Sequence, residues 1–220
     1  MTLMTLLVLA KAPVPGRVKT RLVPPYTPTE AALLAEAALF DTLAAVRATP
    51  ATRGILVLDG RPGPWLLPGI DVVPQAGGGL DERLAAAVMV ANGPVLVVGA
   101  DTPQLAPRLS EVDWSDGCDA WFGPANDGGF WALGLRRPDP ALVRGVPMSR
   151  PDTGAVQRRR LTDAGLRVRD LQLLRDVDTA ADVPLVAEAA PGSQFAACAA
   201  RLAGSRLRPG GPAAASGETP

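Results

Sequence analysis

The sequence predicts an α/β protein built on an open, mostly parallel sheet. Residues 3–10 (LMTLLVLA) and 94–100 (PVLVVGA) are apolar without alternation, the pattern of strands buried on both faces. Apolar-faced helical segments separate these runs from shorter strand-like ones at the spacing of βαβ units. In such sheets ligands sit beyond the carboxyl ends of the strands. That rule puts the loop from Lys11 and the segment from Asp101 in one crevice.

The elements follow in order. After the first strand, KAPVPGRVKTRLVPP carries too many prolines to stay regular, and Pro24 and Pro25 argue against a helix starting at Thr20. A helix starting at Thr29-Glu30 runs to about Val46, with Leu33, Leu34, Ala37, Phe40, Leu43 and Ala44 on one face. Residues 54–59 and 70–74 read as strands. The Gly77–Gly79 turn leads into a helix near 80–92, ahead of the strand at 94–100. Two strands, 118–122 and 129–135, flank the turn GPANDGG, whose Asn-Asp-Gly-Gly demands positive φ. A helix near 153–164, a strand at 166–171 and helices at 179–190 and 193–204 complete the pattern. A single domain over residues 1–204 is expected, with a small, polar, Pro/Gly-rich tail at 205–220 expected to be disordered.

Composition excludes much. The 220 residues, 47% of them apolar, suffice for a sizeable core. No apolar run approaches the length of a membrane span, and the first residues lack a basic n-region, so the expected location is cytoplasmic, with no membrane partner. Twenty-two basic residues balance twenty-two acidic ones, giving no global field for nucleic acid. With no histidine, Ser-His-Asp and Cys-His catalysis and the common zinc sites are excluded. Cys118 and Cys198 fit no metal spacing. An enzyme of this composition works with carboxylates, Arg, Lys, backbone amides and a hard metal. Of the basic residues only Lys11 and Lys19 are lysine, and both lie in the first loop.

Four segments could carry chemistry. Lys11, Gly16, Arg17, Lys19, Thr20 and Arg21 follow a buried strand. Four cations and amides freed at a glycine turn suit a di- or triphosphate, although the spacing is not that of a P-loop. The alternative is a solvated basic loop. Asp101 ends a central strand with no basic sequence neighbour, so it either holds a metal, as one carboxylate can when phosphate oxygens complete the shell, or caps the next turn. Asp176 and Asp178, alternate residues of an extended segment, face one way and invite a shared cation; alternatively Asp178 or Thr179 caps the following helix. Asp127, Gly128 and Gly129 form either a plain hairpin turn or a platform for substrate. Arg150, Thr153 and Arg158–Arg160 could add anion contacts, with most of the triple arginine solvated. Trp65, Trp114, Trp121 and Trp131 read as packing residues.

Taken together, K-x-P-x-x-G-x-x-KTRL, GADTPQL, GPANDGGFWALGL and DVDTAAD resemble the bacterial "transferase 1, selenodomain-associated" family over about residues 3–190. More distantly, KTRL and DVDTAAD are similar to guanylyltransferases acting on phospholactate or phosphoenolpyruvate. The resemblance implies a three-layer nucleotide-diphospho-sugar transferase (GT-A-like) fold. It further implies that Lys19 and Arg21 hold phosphates and act in catalysis with Asp101. Asp101, Asp176 and Asp178 would bind Mg²⁺ (or Mn²⁺), while Gly128, Gly129 and Ser149 would line the acceptor side with Asp127. The family usually shows Trp-Ser where this chain has Met148-Ser149. The implied partners are a nucleotide (NTP or NDP-sugar) and a small-molecule acceptor; the oligomeric state is not set by the sequence. Nucleotidyl transfer to an anionic acceptor needs positive charge on the β- and γ-phosphates and no general base, which suits a histidine-free chain. Glycosyl transfer needs a carboxylate base, for which Asp127 is the candidate. A non-catalytic nucleotide-binding protein is the third reading.

Overall fold

The computed structural model describes residues 4–49 and 52–206. Seven strands form one sheet in the order β3-β2-β1-β4-β6-β5-β7. The first four are β1 (Met4–Lys11), β2 (Thr52–Asp59), β3 (Asp71–Pro74) and β4 (Val95–Gly99). The others are β5 (Ala120–Pro124), β6 (Phe130–Leu135) and β7 (Val168–Asp170). All run parallel except β6, which is antiparallel to both neighbours. The expected mixed α/β fold with a mostly parallel sheet is therefore present, and every expected strand lies within two residues of its predicted limits.

Successive side chains of β1 point to opposite faces, and both faces are covered. Leu6 and Val8 pack with Leu39, Leu43 and Val46 of α1 (Pro28–Ala48). Leu7 packs the other way, with Leu84 and Val88 of α2 (Leu80–Val88). Each such side chain contributes about 1.5–3 kcal/mol on burial, which is why the strand tolerates no polar alternation. On the α1 face lies α3 (Ala106–Leu109), and on the α2 face α4 (Thr153–Asp163). All four tryptophans are buried, as their reading as packing residues requires.

A third cluster joins α1 to α5 (Asp182–Ala189) and α6 (Gln194–Arg206). It includes Leu22 from the basic loop and Val177 from the D-x-D segment, both essentially inaccessible. These two apolar residues anchor segments whose charged neighbours stay free to face elsewhere.

Helix boundaries differ from expectation where caps decide them. Helix α1 begins at Pro28, because Thr27 and Glu30 form a capping box and proline suits the first helical position. A 3₁₀ turn does form at Thr20–Leu22, stopping before Pro24 as that residue demands. Helix α5 begins at Asp182 rather than 179: the Asp182 carboxylate accepts hydrogen bonds from the Thr179 amide and hydroxyl, holding 179–181 as a lead-in turn. Helix α6 continues to Arg206, whose guanidinium pairs with Glu30 and stacks 3.9 Å from the Tyr26 ring centroid. Ser205 and Arg206, expected to open a disordered tail, are thus helical, and the rest of that expected tail, 207–220, lies outside the described residues. Among the described residues no helix is long and apolar enough to cross a membrane.

Candidate functional site

The topology brings four segments to one edge. β1 is flanked by β2 and β4, so successive connections leave it in opposite directions; the crevice at such a reversal is where open α/β sheets bind ligands. The Lys11 loop and Asp101 follow β1 and β4 there. Because β6 runs antiparallel, the 125–129 turn that enters it from β5 lies at the same edge. β7 is parallel to β5, so the chain leaving it toward Asp176 also emerges there.

These segments enclose one cavity of about 790 Å³, in the range of small-molecule sites. From the first loop it takes Lys11, Arg17, Lys19, Thr20 and Arg21; from the end of β4, Asp101 and Thr102. Asp127 and Gly129 come from the β5–β6 turn, Ser149 and Arg150 from the loop before α4, and Asp176 and Asp178 from the stretch before α5. The cationic side chains on the wall are Lys11, Arg17, Lys19, Arg21, Arg83 and Arg150. The anionic ones are Asp101, Asp127, Asp176 and Asp178. In a chain of zero formal net charge, cations thus outnumber carboxylates at this edge.

Two predicted residues are not on the wall. Gly16 sits in a positive-φ turn (76°) of the loop. Gly128 (φ 87°) abuts Pro151, whose carbonyl oxygen would lie 1.9 Å from an added Cβ, and its own carbonyl accepts the Gly154 amide. Their contribution is to backbone shape.

The centre of the cavity is an ion cluster invisible in the sequence. Asp101 has no basic neighbour along the chain, but the Lys19 ammonium lies 2.8 Å from its carboxylate and also donates to the Val177 carbonyl. The Val177 amide donates to the Asp101 carbonyl, so the β4 end and the D-x-D segment are tied through backbone as well. Lys19 is largely buried and adopts a left-handed backbone (φ 48°), a conformation that costs a non-glycine residue energy and is held by its surroundings. Among the described residues the one other non-glycine with positive φ is Ser149 (57°), on the opposite wall.

Asp178 does not cap α5. The N-cap residue of that helix is Ala181; Asp182, its first residue, accepts the Asp178 and Thr179 amides, while Asp178 pairs with the exposed Arg21 at 2.5 Å. Asp176, between the two walls, is half-buried. Burial and then the neighbouring Asp127 carboxylate push its acid up to about 6, with Lys19 pulling the other way. Asp127 accepts the Gly129 amide through one oxygen, the bond expected of a turn residue, while still lining the cavity. Arg158 pairs with Asp170 and Arg160 caps carbonyls near Arg144, so neither lines the cavity.

The donor set is all oxygen, which fits a hard divalent cation and no soft one. Among the described residues no three acidic or thiol side chains converge as a ready cage. A cation here would share one or two carboxylates with oxygens brought by a ligand.

Gln75, Leu80 and Arg83 also line the cavity and were not singled out from the sequence. The signal was the Gly77–Gly79 turn placed between a strand end and a helix start, read there as a connector alone.

The architecture is that of nucleotide-handling transferases. A crystal structure from Desulfovibrio desulfuricans G20, provisionally named a nucleotide-diphospho-sugar transferase, matches with a TM-score of 0.80 at 25% identity, over 92% of this chain and 95% of that one. Two further solved structures, each with a TM-score of 0.53, share the fold. One is CMP:2-keto-3-deoxy-manno-octonic acid synthetase complexed with CTP (11% identity, 93% and 100% covered). The other is Rv0371C from Mycobacterium tuberculosis H37Rv in complex with manganese (22% identity, 83% and 96% covered). The chain belongs to the bacterial family described as "Uncharacterized protein conserved in bacteria (DUF2064)", whose model matches residues 33–150. That segment holds Asp101, Asp127 and Ser149 but neither the Lys11–Leu22 loop nor the D-x-D segment. No curated protein matches the chain.

Proposed function

We propose that the protein is a Mg²⁺- or Mn²⁺-dependent nucleotidyltransferase, with residues 1–204 as one catalytic domain. It moves a nucleoside monophosphate group from an NTP to a small anionic acceptor. An acceptor oxygen bonds to the α-phosphorus, the α–β bridging P–O bond breaks, and pyrophosphate leaves. The observation that carries this reading is the excess of cations around one strand-end cavity in a chain with no histidine. Charge accumulates on the departing β- and γ-phosphates, so positioned cations are what the reaction requires, and an anionic acceptor needs no base.

In this reading Lys19, held by Asp101 and the Val177 carbonyl, needs no reorganisation to meet a phosphate. Arg21, 70% exposed at its side chain, swings from Asp178 to the outer phosphates. Lys11, Arg17 and Thr20 add outer contacts. Asp101, with Asp176 or Asp178 as a second carboxylate, would hold a divalent ion alongside the ligand's phosphate oxygens, and that ion when bound neutralises phosphate charge. Asp127, Gly129 and Ser149 form the acceptor wall. The solved relative named for nucleotide-diphospho-sugar transfer favours a second reading, glycosyl transfer, in which Asp127 serves as base.

Thermal unfolding with Mg²⁺ against a panel of NTPs and NDP-sugars separates the two. A ligand at a hundred times its Kd stabilises the fold by about 2.7 kcal/mol. The reading predicts a shift with an NTP that needs Mg²⁺ and is lost in Asp101→Asn. A shift with NDP-sugars alone hands the site to glycosyl transfer.

A further inference from the structure

The cavity also reaches the end of β1 and the start of α2, and that end is built differently from the acceptor wall. Leu9, Leu80 and Leu84 give it apolar sides. Gln75, just after β3, reaches back over the sheet: its amide nitrogen donates to the carbonyls of Ala10 (3.1 Å) and Val57 (3.3 Å). Those two carbonyls fix which way the amide points, so its oxygen faces Arg83 and accepts from that guanidinium at 3.0 Å. The Arg83 Nε leans on the Gly79 carbonyl at 3.4 Å. No carboxylate among the described residues pairs with Arg83.

The result is an apolar slot whose polar group is a guanidinium braced from behind. Gln75 has spent both amide hydrogens and turned its oxygen to the arginine, so this end offers donors from Arg83 and no side-chain acceptor from Gln75. The slot lies between the end of β1 and the start of α2, with Gln75 laid over β1 and β2, so it is one to two strand spacings, about 5–10 Å, along the sheet from β4, the strand that leads into Asp101. A ribose bridges such a gap between a base and its phosphates.

We infer that Arg83, braced by Gln75, reads the nucleobase and selects one carrying a carbonyl at its exposed edge, guanine or uracil, over the amino-edged adenine and cytosine. The inference rests on the nucleotide-binding reading above. Guanine offers two adjacent acceptors to an arginine fork and the uracil carbonyl offers one, whereas the exocyclic amines of adenine and cytosine would set donor against donor.

The test is calorimetric titration of the full chain with the Mg²⁺ complexes of GTP, UTP, ATP and CTP, and with pyrophosphate as a probe of the phosphate end alone. The same series is run on Arg83→Gln. The expected result is GTP or UTP binding about tenfold or more tighter than both ATP and CTP. In Arg83→Gln that preference falls below about threefold, with pyrophosphate affinity kept. Four equal affinities, or ATP or CTP bound tightest, overturn the inference while leaving nucleotide binding intact. A preference that survives in Arg83→Gln removes Arg83 from the role, and loss of pyrophosphate binding in that variant makes it a phosphate contact instead. If the wild type binds no nucleotide, both this inference and the reading beneath it fall. A melting curve of Arg83→Gln guards against misfolding, and Arg83→Lys, which keeps a donor but loses the fork, is expected to restore only part of the preference.

Discussion

Replacing Asp176 with Asn should stabilise the metal-free protein, and only at higher pH. Asp176 is pushed up to about 6, first by burial and then by the Asp127 carboxylate, from the ordinary aspartate value of 3.8. An Asp whose folded pKa is raised holds its proton longer in the folded state than in the unfolded one. Stability therefore falls as pH rises from about 4 to about 6 and is then flat. Raising the acid from 3.8 to about 6 sets a ceiling of about 3 kcal/mol. Because the side chain keeps some solvent contact, about 1–2 kcal/mol is the realistic share. Asparagine keeps the shape and removes the titration. In EDTA at pH 8, Asp176→Asn should melt about 2–8 °C above wild type, a difference that shrinks on acidification and vanishes near pH 4. A Tm difference that is constant across pH 4–8, or a variant less stable at pH 8, would refute the electrostatic reasoning.

Three further substitutions probe the surrounding shell. Lys19→Met removes an ammonium that holds both Asp101 and the Val177 carbonyl; triphosphate affinity should fall by about 1.5–3 kcal/mol, or roughly 10–150-fold, in a calorimetric titration. Arg21→Ala breaks only an exposed pair with Asp178, so Tm should change by less than about 1 kcal/mol equivalent, while triphosphate affinity drops about tenfold or more. Gly128→Ala places a Cβ on the Pro151 carbonyl at positive φ and should cost about 2 kcal/mol or more by urea denaturation, because backbone on both sides must shift.

Much of this site was legible because it follows from strand ends. Two apolar runs without alternation implied doubly covered strands. The placement of Lys11 and Asp101 just beyond them implied a shared crevice, and both line the cavity. The period-two reading of Asp176 and Asp178 also survives, because Val177 between them turns into the third apolar cluster. The Lys19–Asp101 pair was not legible: its members are far apart in the chain and meet because Leu22 and Val177 anchor into one small core. The Gln75–Arg83 slot was missed for a similar reason. Gln75 reaches Ala10 only because the sheet order sets β3 beside β2 and β2 beside β1, an order that composition and periodicity do not encode. Neither Asp178 nor Thr179 caps α5, although both fit the local pattern: Arg21 draws Asp178 away, and the Thr179 amide and hydroxyl donate to Asp182.

The central claim is that an NTP, rather than an NDP-sugar, is the donor, and phosphorus NMR of the reaction tests it most directly. Wild-type protein, Mg²⁺ and each NTP are incubated with a pool of small phosphorylated and carboxylated acceptors, in parallel with NDP-sugars and the same pool. The account predicts a growing pyrophosphate resonance together with a new nucleoside monophosphate adduct from one NTP (a phosphoanhydride from a phosphate acceptor, an acyl phosphate from a carboxylate), both absent with Lys19→Met. Release of a nucleoside diphosphate from an NDP-sugar, with no pyrophosphate from any NTP, would contradict it.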